Sequence, residues 1–170
     1  MSANKQDRAF VITRHFDAGL PHVWKAWSTA AEMQSWWGPK GCKLKVASLD
    51  FRPGGIFHYG MEWSKGSTMW GRFVYREMTP PERLVFVNSF ADANAEIIRA
   101  PFSEHWPREI LNVVTFEYLG GNKTRVTLRG GPINPTDEER AAFEGMFDSM
   151  NQGFGGTFDQ LADYLAKVQN

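Results

Sequence analysis

Along Phe57-His58-Tyr59-Gly60-Met61-Glu62-Trp63 a bulky apolar side chain recurs at every second position, with small or polar residues between. A strand sends alternate side chains to opposite faces, so this spacing predicts one sheet face carpeted with aromatic rings and methionine. Ala9 to Phe16 reads as a first strand. Pro21 suits the first turn of a short helix that carries Val23, Ala26 and Trp27 on one side. A second short helix spans Ala30 to Trp36 and ends before Gly38-Pro39, because proline disfavours helix in its predecessor. Strand patterns then follow over Lys43 to Phe51, Ile56 to Trp63, Thr68 to Met78, Arg83 to Phe90, Glu109 to Tyr118 and Lys123 to Arg129. Turn signals separate them at Arg52-Pro53-Gly54-Gly55, Ser64-Lys65-Gly66, Thr79-Pro80-Pro81 and Gly120-Gly121. Over Thr68 to Met78 both parities stay open, since Met69, Phe73 and Tyr75 oppose Trp70 and Val74.

The chain closes on a long amphipathic segment, Thr136 to about Val168. Thr136 is a candidate N-cap, and Glu139 three residues on completes a capping box. Phe143, Met146, Phe147, Met150, Phe154, Thr157, Phe158 and Leu161 recur at helical spacing and mark the buried stripe. Gly145, Gly153, Gly155 and Gly156 interrupt it. Each costs roughly 1 kcal/mol against alanine in a helix interior, so they predict a kink, a close approach or space kept open. A kink there makes Met150 and Phe154 the movable wall. Between strands, residues 91–108 form an insertion broken by Pro101 and Pro107, too long for a hairpin loop. Its Phe102, His105 and Trp106 fit a lid over a site, but a packed surface loop whose Phe102 and Trp106 cover the sheet edge is the reading preferred. Glu104 and His105 are adjacent, and neighbours on an extended segment point apart.

At 170 residues, with 42% of them apolar, the chain holds one core that needs no disulfide. Residues 1–7 are polar and expected to fray, leaving a single α+β domain over 8–170. The 19 basic and 19 acidic side chains cancel, which argues against nucleic acid or an anionic membrane as partner. No apolar run approaches a membrane span of roughly 20 residues. Cys42 is the lone cysteine, so no internal disulfide forms and a structural zinc site lacks thiolates. Lys40 and Lys43 give that thiol a mildly activating setting. The four histidines match no ligand spacing, and neither a metal nor a cofactor is expected. Asp50 and Arg52 share a face before the glycine turn and fit a local pair, while Arg72 and Arg76 are assigned to a solvated outer face. The first strand pattern begins near Arg8 with no basic-then-apolar leader ahead of it, and a cytosolic location is the expectation.

Several pieces match a known family in order and spacing. They are Val23-Trp24-Lys25-Ala26-Trp27, Trp36-Trp37-Gly38-Pro39, Asp50-x-Arg52-x-Gly54-Gly55, the run Arg76 to Phe86, and Thr124-x-Val126-Thr127-Leu128. Together with the last helix they resemble the activator of Hsp90 ATPase homologue 1-like (AHSA1-like) family of the SRPBCC, or START and Bet v 1-like, superfamily. The resemblance implies a helix-grip fold: a curved antiparallel sheet of about seven strands around a long C-terminal helix, with two short helices after the first strand. It also implies an interior cavity. Where relatives carry Gly-Trp in the last helix this chain has Gly153-Phe154, which reshapes the interior.

Core packing against the last helix accounts for the aromatic face, and a cavity at its outer end is compatible with it. The leading expectation is a binding protein for a hydrophobic, aromatic or lipid-like small molecule. Its wall residues are Phe57, Tyr59, Met61, Trp63, Phe86, Met146, Met150 and Phe154, with Trp37 and Trp106 near a mouth. Tyr59 and His105 are the expected orienting groups. A second reading is a cyclase- or hydrolase-like enzyme in which Tyr59 or His105 moves protons in a dry pocket. A third, co-chaperone reading follows from the resemblance alone. It is weakened by a first strand that begins within about eight residues, with no room for the further N-terminal domain of the Hsp90 activators. An exposed strand edge and the tryptophans around Trp36 suit a homodimer.

Overall fold

A computed structural model describes residues 8–63 and 66–168; the expected frayed tail and most of the expected Ser64-Lys65-Gly66 turn lie outside them. Strand β1 (Phe10–Phe16) is followed by helices α1 (Leu20–Ala26) and α2 (Ala30–Trp36). Strands β2 (Lys43–Leu49), β3 (Ile56–Glu62), β4 (Thr68–Thr79), β5 (Arg83–Ala91), β6 (Ile110–Gly120) and β7 (Lys123–Pro132) come next. Helices α3 (Asp137–Gly145) and α4 (Phe147–Val168) end the chain. The seven strands form one antiparallel sheet in the order β1-β7-β6-β5-β4-β3-β2. The two short helices carry the chain from one edge of the sheet to the other. Register shifts at Val46/Ser48, Tyr75/Glu77 and Tyr118/Gly120 add the local twist that curls the sheet around α4. This is the helix-grip α+β fold predicted.

The parity left open in β4 is settled by packing. Phe73 lies opposite Phe57 in register, their rings edge to face at 5.0 Å, and stacks on Phe86 at 3.9 Å. Phe73 and Tyr75 therefore face the core, and Trp70, Arg72 and Val74 face out. Two glycines make room for rings lying across them. A Cβ on Gly71 would sit 2.5 Å from Tyr59 Oη and 2.6 Å from its Cζ. On the opposite face, Trp70 approaches a Cβ on Gly60 to 3.1 Å.

That outer face is not solvated at Arg72, contrary to expectation. The start of the 91–108 insertion folds back along β5, with Ile98 N–H donating to Phe90 O and Ala91 bridging Ile97. Arg72 Nη1 then donates to Ala95 O at 2.8 Å, and His58 Nε2 lies 3.0 Å from Asp92 O with its ring stacked on Trp70. Arg76 stays exposed, and Arg52 pairs with Asp50 at 2.7 Å.

The segment expected as one helix is two. The predicted capping box starts α3: Glu139 N–H donates to Thr136 Oγ1 and Thr136 N–H to Glu139 Oε1. After Gly145 the backbone of Met146 leaves helical geometry at φ −103° and ψ 8°, and its N–H tightens onto Phe143 O. Helix α4 is then anchored on the Trp36-Trp37-Gly38-Pro39 loop. Thr157 Oγ1 and Gln160 Nε2 both donate to Gly38 O, at 2.9 and 2.8 Å, and Gln160 also reaches Trp36 O. Asp159 holds Arg14 of β1 and Lys40 at 2.9 and 3.0 Å. Trp36, expected at an association surface, is instead buried against Trp27 and donates through Nε1 to Ala26 O. Among the described residues no helix is long and apolar enough to cross a membrane.

Candidate functional site

The inner sheet face and α4 do not meet completely. Between them lies a cavity of about 270 Å³ whose walls come from β3, β4, β5, β6, the insertion and α4. A lobe of about 180 Å³ adjoins it toward the Trp37-Gly38-Pro39 loop, the two sharing Pro39, Tyr59, Met61, Met150 and Phe154. Volumes of a few hundred Å³ suit a small organic molecule. Pro39, Trp63, Met69, Phe90 and Met150 are only half-buried and mark the side of the cavity toward solvent.

Of the side chains singled out from the sequence, Tyr59, Met61, Trp63, Trp106, Met150 and Phe154 line the main cavity, and Trp37 lines the adjoining lobe. The others lie elsewhere. Phe57 and Phe86 are sealed in the core, at 0% and 1% exposure, where they pack on Phe73. Met146 sits at the break before α4 and lines a separate shallow groove with Phe102 and Gly145. His105 is exposed and reaches neither lobe, so it orients nothing there. The insertion contributes a wall through Trp106, which packs on Phe143 at 5.5 Å. It is tied down by Arg99, whose Nη1 donates to Trp106 O at 3.0 Å and to Glu139 at 2.6 Å.

Sequence reasoning missed the polar end. Asn88 of β5 and Asn112 of β6 face the cavity, on the same strand parity as Phe86 and Phe90 and as Ile110 and Val114. An amide on the buried parity of a strand was the available signal, because such a group is kept only where it finds partners. Asn88 Nδ2 donates to Arg72 O at 3.0 Å and to Tyr59 Oη at 3.2 Å. Asn112 Nδ2 makes one long bond, 3.4 Å, to Ile110 O. Burial pushes the Tyr59 phenol above its ordinary pKa, against hydrogen bonds from Asn88 and Trp37 that favour the ionised form. Tyr59 is thus a neutral donor. Among the described residues no lysine, arginine, aspartate, glutamate or histidine lines either lobe.

Cys42 is not the mildly activated thiol expected. Burial raises its pKa, and its Sγ is taken up with Pro39 O at 3.3 Å.

A family model described as activator of Hsp90 ATPase homolog 1-like protein matches residues 17–166. Solved structures agree in fold. A protein from Arthrobacter aurescens superposes with a TM-score of 0.79 at 24% identity, covering 94% of this chain and 86% of its own. Protein Ms6760 from Mycobacterium smegmatis gives 0.76 at 23% identity, covering 94% and 92%. The AHSA1 protein from Silicibacter pomeroyi gives 0.69 at 18% identity, covering 95% and 99%. Among curated proteins none matches the chain.

Proposed function

The chain belongs to the activator of Hsp90 ATPase homolog 1-like family, and within that family we propose that it is a binding protein for a hydrophobic small molecule held between the sheet and α4. The observation that carries this reading is the cavity itself: apolar walls of Met61, Met69, Phe90, Trp106, Met150 and Phe154 around one small polar end. Aromatic and methionine side chains offer large, adaptable contact area. Packed cores hold few voids larger than a water molecule, so an apolar space of this size supports a role in holding a ligand.

The same lining favours binding over turnover. A general acid or base works best with a pKa near the operating pH. His105 lies outside the cavity and Tyr59 is held in its neutral form, so neither of the groups first considered for proton transfer is poised for it.

A thermal-shift and tryptophan-fluorescence screen tests the proposal, using uncharged aromatic compounds alongside fatty acids and sterols. Saturable binding raises Tm by mass action and quenches Trp37, Trp63 or Trp106. Gly153→Phe, which adds a ring to the wall of the smaller lobe where nothing lies within 4 Å of the new Cβ, weakens it, most for the larger ring systems. Binding that survives this substitution unchanged, or no hit in the panel, defeats the proposal.

A further inference from the structure

The polar end of the cavity specifies more than hydrophobicity, and the inference here rests on the binding role just proposed. The orientation of the Asn88 amide is fixed by Arg72 O, a carbonyl that only accepts, so the nitrogen must point to it. That nitrogen is also the atom nearest Tyr59 Oη, so Tyr59 accepts from Asn88 and keeps its own hydroxyl hydrogen to give. No acceptor among the described residues takes that hydrogen. The amide oxygens of Asn88 and Asn112 likewise receive no donor among the described residues, and neither is fully buried. Among the described residues the cavity therefore offers the Tyr59 O–H and the second N–H of Asn112 as donors beside unused carbonyl acceptors, with no charged side chain in its walls to balance an ion.

We propose that the ligand is an uncharged aromatic compound of two or three rings bearing a hydroxyl group, which accepts from Tyr59 Oη–H and donates to an amide oxygen of Asn88 or Asn112. A hydroxyl is the smallest group that both accepts and donates. A carboxylate or ammonium is disfavoured because it loses its hydration and meets no countercharge. An ether meets the tyrosine but leaves the amide oxygens unpaired, and a hydrocarbon leaves all of these groups unpaired.

The test is a matched set of probes of nearly equal shape, titrated against the full chain at pH 7: 2-naphthol, 2-methoxynaphthalene, 2-methylnaphthalene and 2-naphthoate. Expected is naphthol tightest, about tenfold or more over methylnaphthalene, with methoxynaphthalene between and naphthoate weakest. In Tyr59→Phe the advantage of methoxynaphthalene over methylnaphthalene disappears while methylnaphthalene itself binds as before. The ranking in the unaltered protein carries the test alone if that variant does not fold. Equal affinity for naphthol and methylnaphthalene overturns the hydroxyl assignment and leaves the cavity role standing. Tightest binding of naphthoate overturns the requirement for a neutral ligand. If none of the four binds, the hydroxyl assignment and the cavity role fall together.

Discussion

Replacing Gly71 with alanine tests the geometry of the polar end, because the new methyl presses directly on the Tyr59 phenol. Tyr59 and Gly71 are register partners on β3 and β4, and the phenol ring lies flat over the glycine. The added methyl would stand 2.5 Å from Oη, 2.6 Å from Cζ and 2.8 Å from Cε2. Phe57, Phe73 and Trp37 pack around the ring at centroid distances of 4.7, 5.7 and 6.3 Å, so only its cavity side is open to yield into. Overpacking of this kind costs about 1–3 kcal/mol. For a domain of this length a loss of about 2 kcal/mol corresponds to a fall of about 4–8 °C in Tm. Denaturant unfolding measures the cost directly, and a double-mutant cycle assigns it. In a Tyr59→Leu background, which removes Oη, Cζ and Cε2, the alanine becomes nearly neutral. Tyr59→Phe gives no such relief, because Cζ and Cε2 remain. A Gly71→Ala protein within about 0.5 kcal/mol of the parent, or an equal penalty in all three backgrounds, refutes the reasoning.

Three further outcomes follow from the same structure. Gly155→Ala, in a helix interior with nothing within 4 Å of the new Cβ, raises stability by about 0.5–1 kcal/mol, read as a higher denaturant midpoint at unchanged slope. Phe154→Trp fills space shared by the two lobes, so titration of a bound probe gives weaker binding to larger ring systems than to small ones. Hydrogen bonds from Lys40 and Arg14 hold the Asp159 carboxyl below its usual pKa, so its contribution is complete above the ordinary carboxylate range and fades as pH falls through the lowered folded value. Asp159→Asn therefore flattens the acid limb of the stability–pH curve, and the difference from the parent shrinks in high salt, since these groups are partly exposed.

Period alone made most of the fold legible: strand parity gave the buried face of β3, and the capping box placed the start of α3 at Thr136. The parity of β4 was not, because aromatic and methionine side chains stand on both of its faces. The pairing that chooses between them, Phe73 against Phe57 and Phe86, is long-range. The helix break was foreshadowed by Gly145, though no local rule fixed which of four glycines would carry it. In the cavity, the aromatic and methionine walls were readable, and Asn88 and Asn112 were overlooked because a search for titratable groups passes over amides. His105 was overvalued for the opposite reason: its chemistry was suggestive, and only the path of the insertion shows that it points away.

The polar contacts of the cavity come from three strands of one hydrogen-bonded sheet, while Met150 and Phe154 sit on the first turns of a helix that begins after a break. On the proposed binding role, chemical selectivity and size selectivity are thereby housed in separate parts of the chain. Substitutions along α4 can widen, narrow or tilt the chamber while the phenol–amide pair on the sheet stays in place. Exchanges at Asn88 or Asn112 can alter which functional group is accepted at constant volume. Such a scaffold can diversify along two independent axes, and a laboratory library restricted to residues 150, 153 and 154 would change the range of molecular sizes accepted without altering the group that is read.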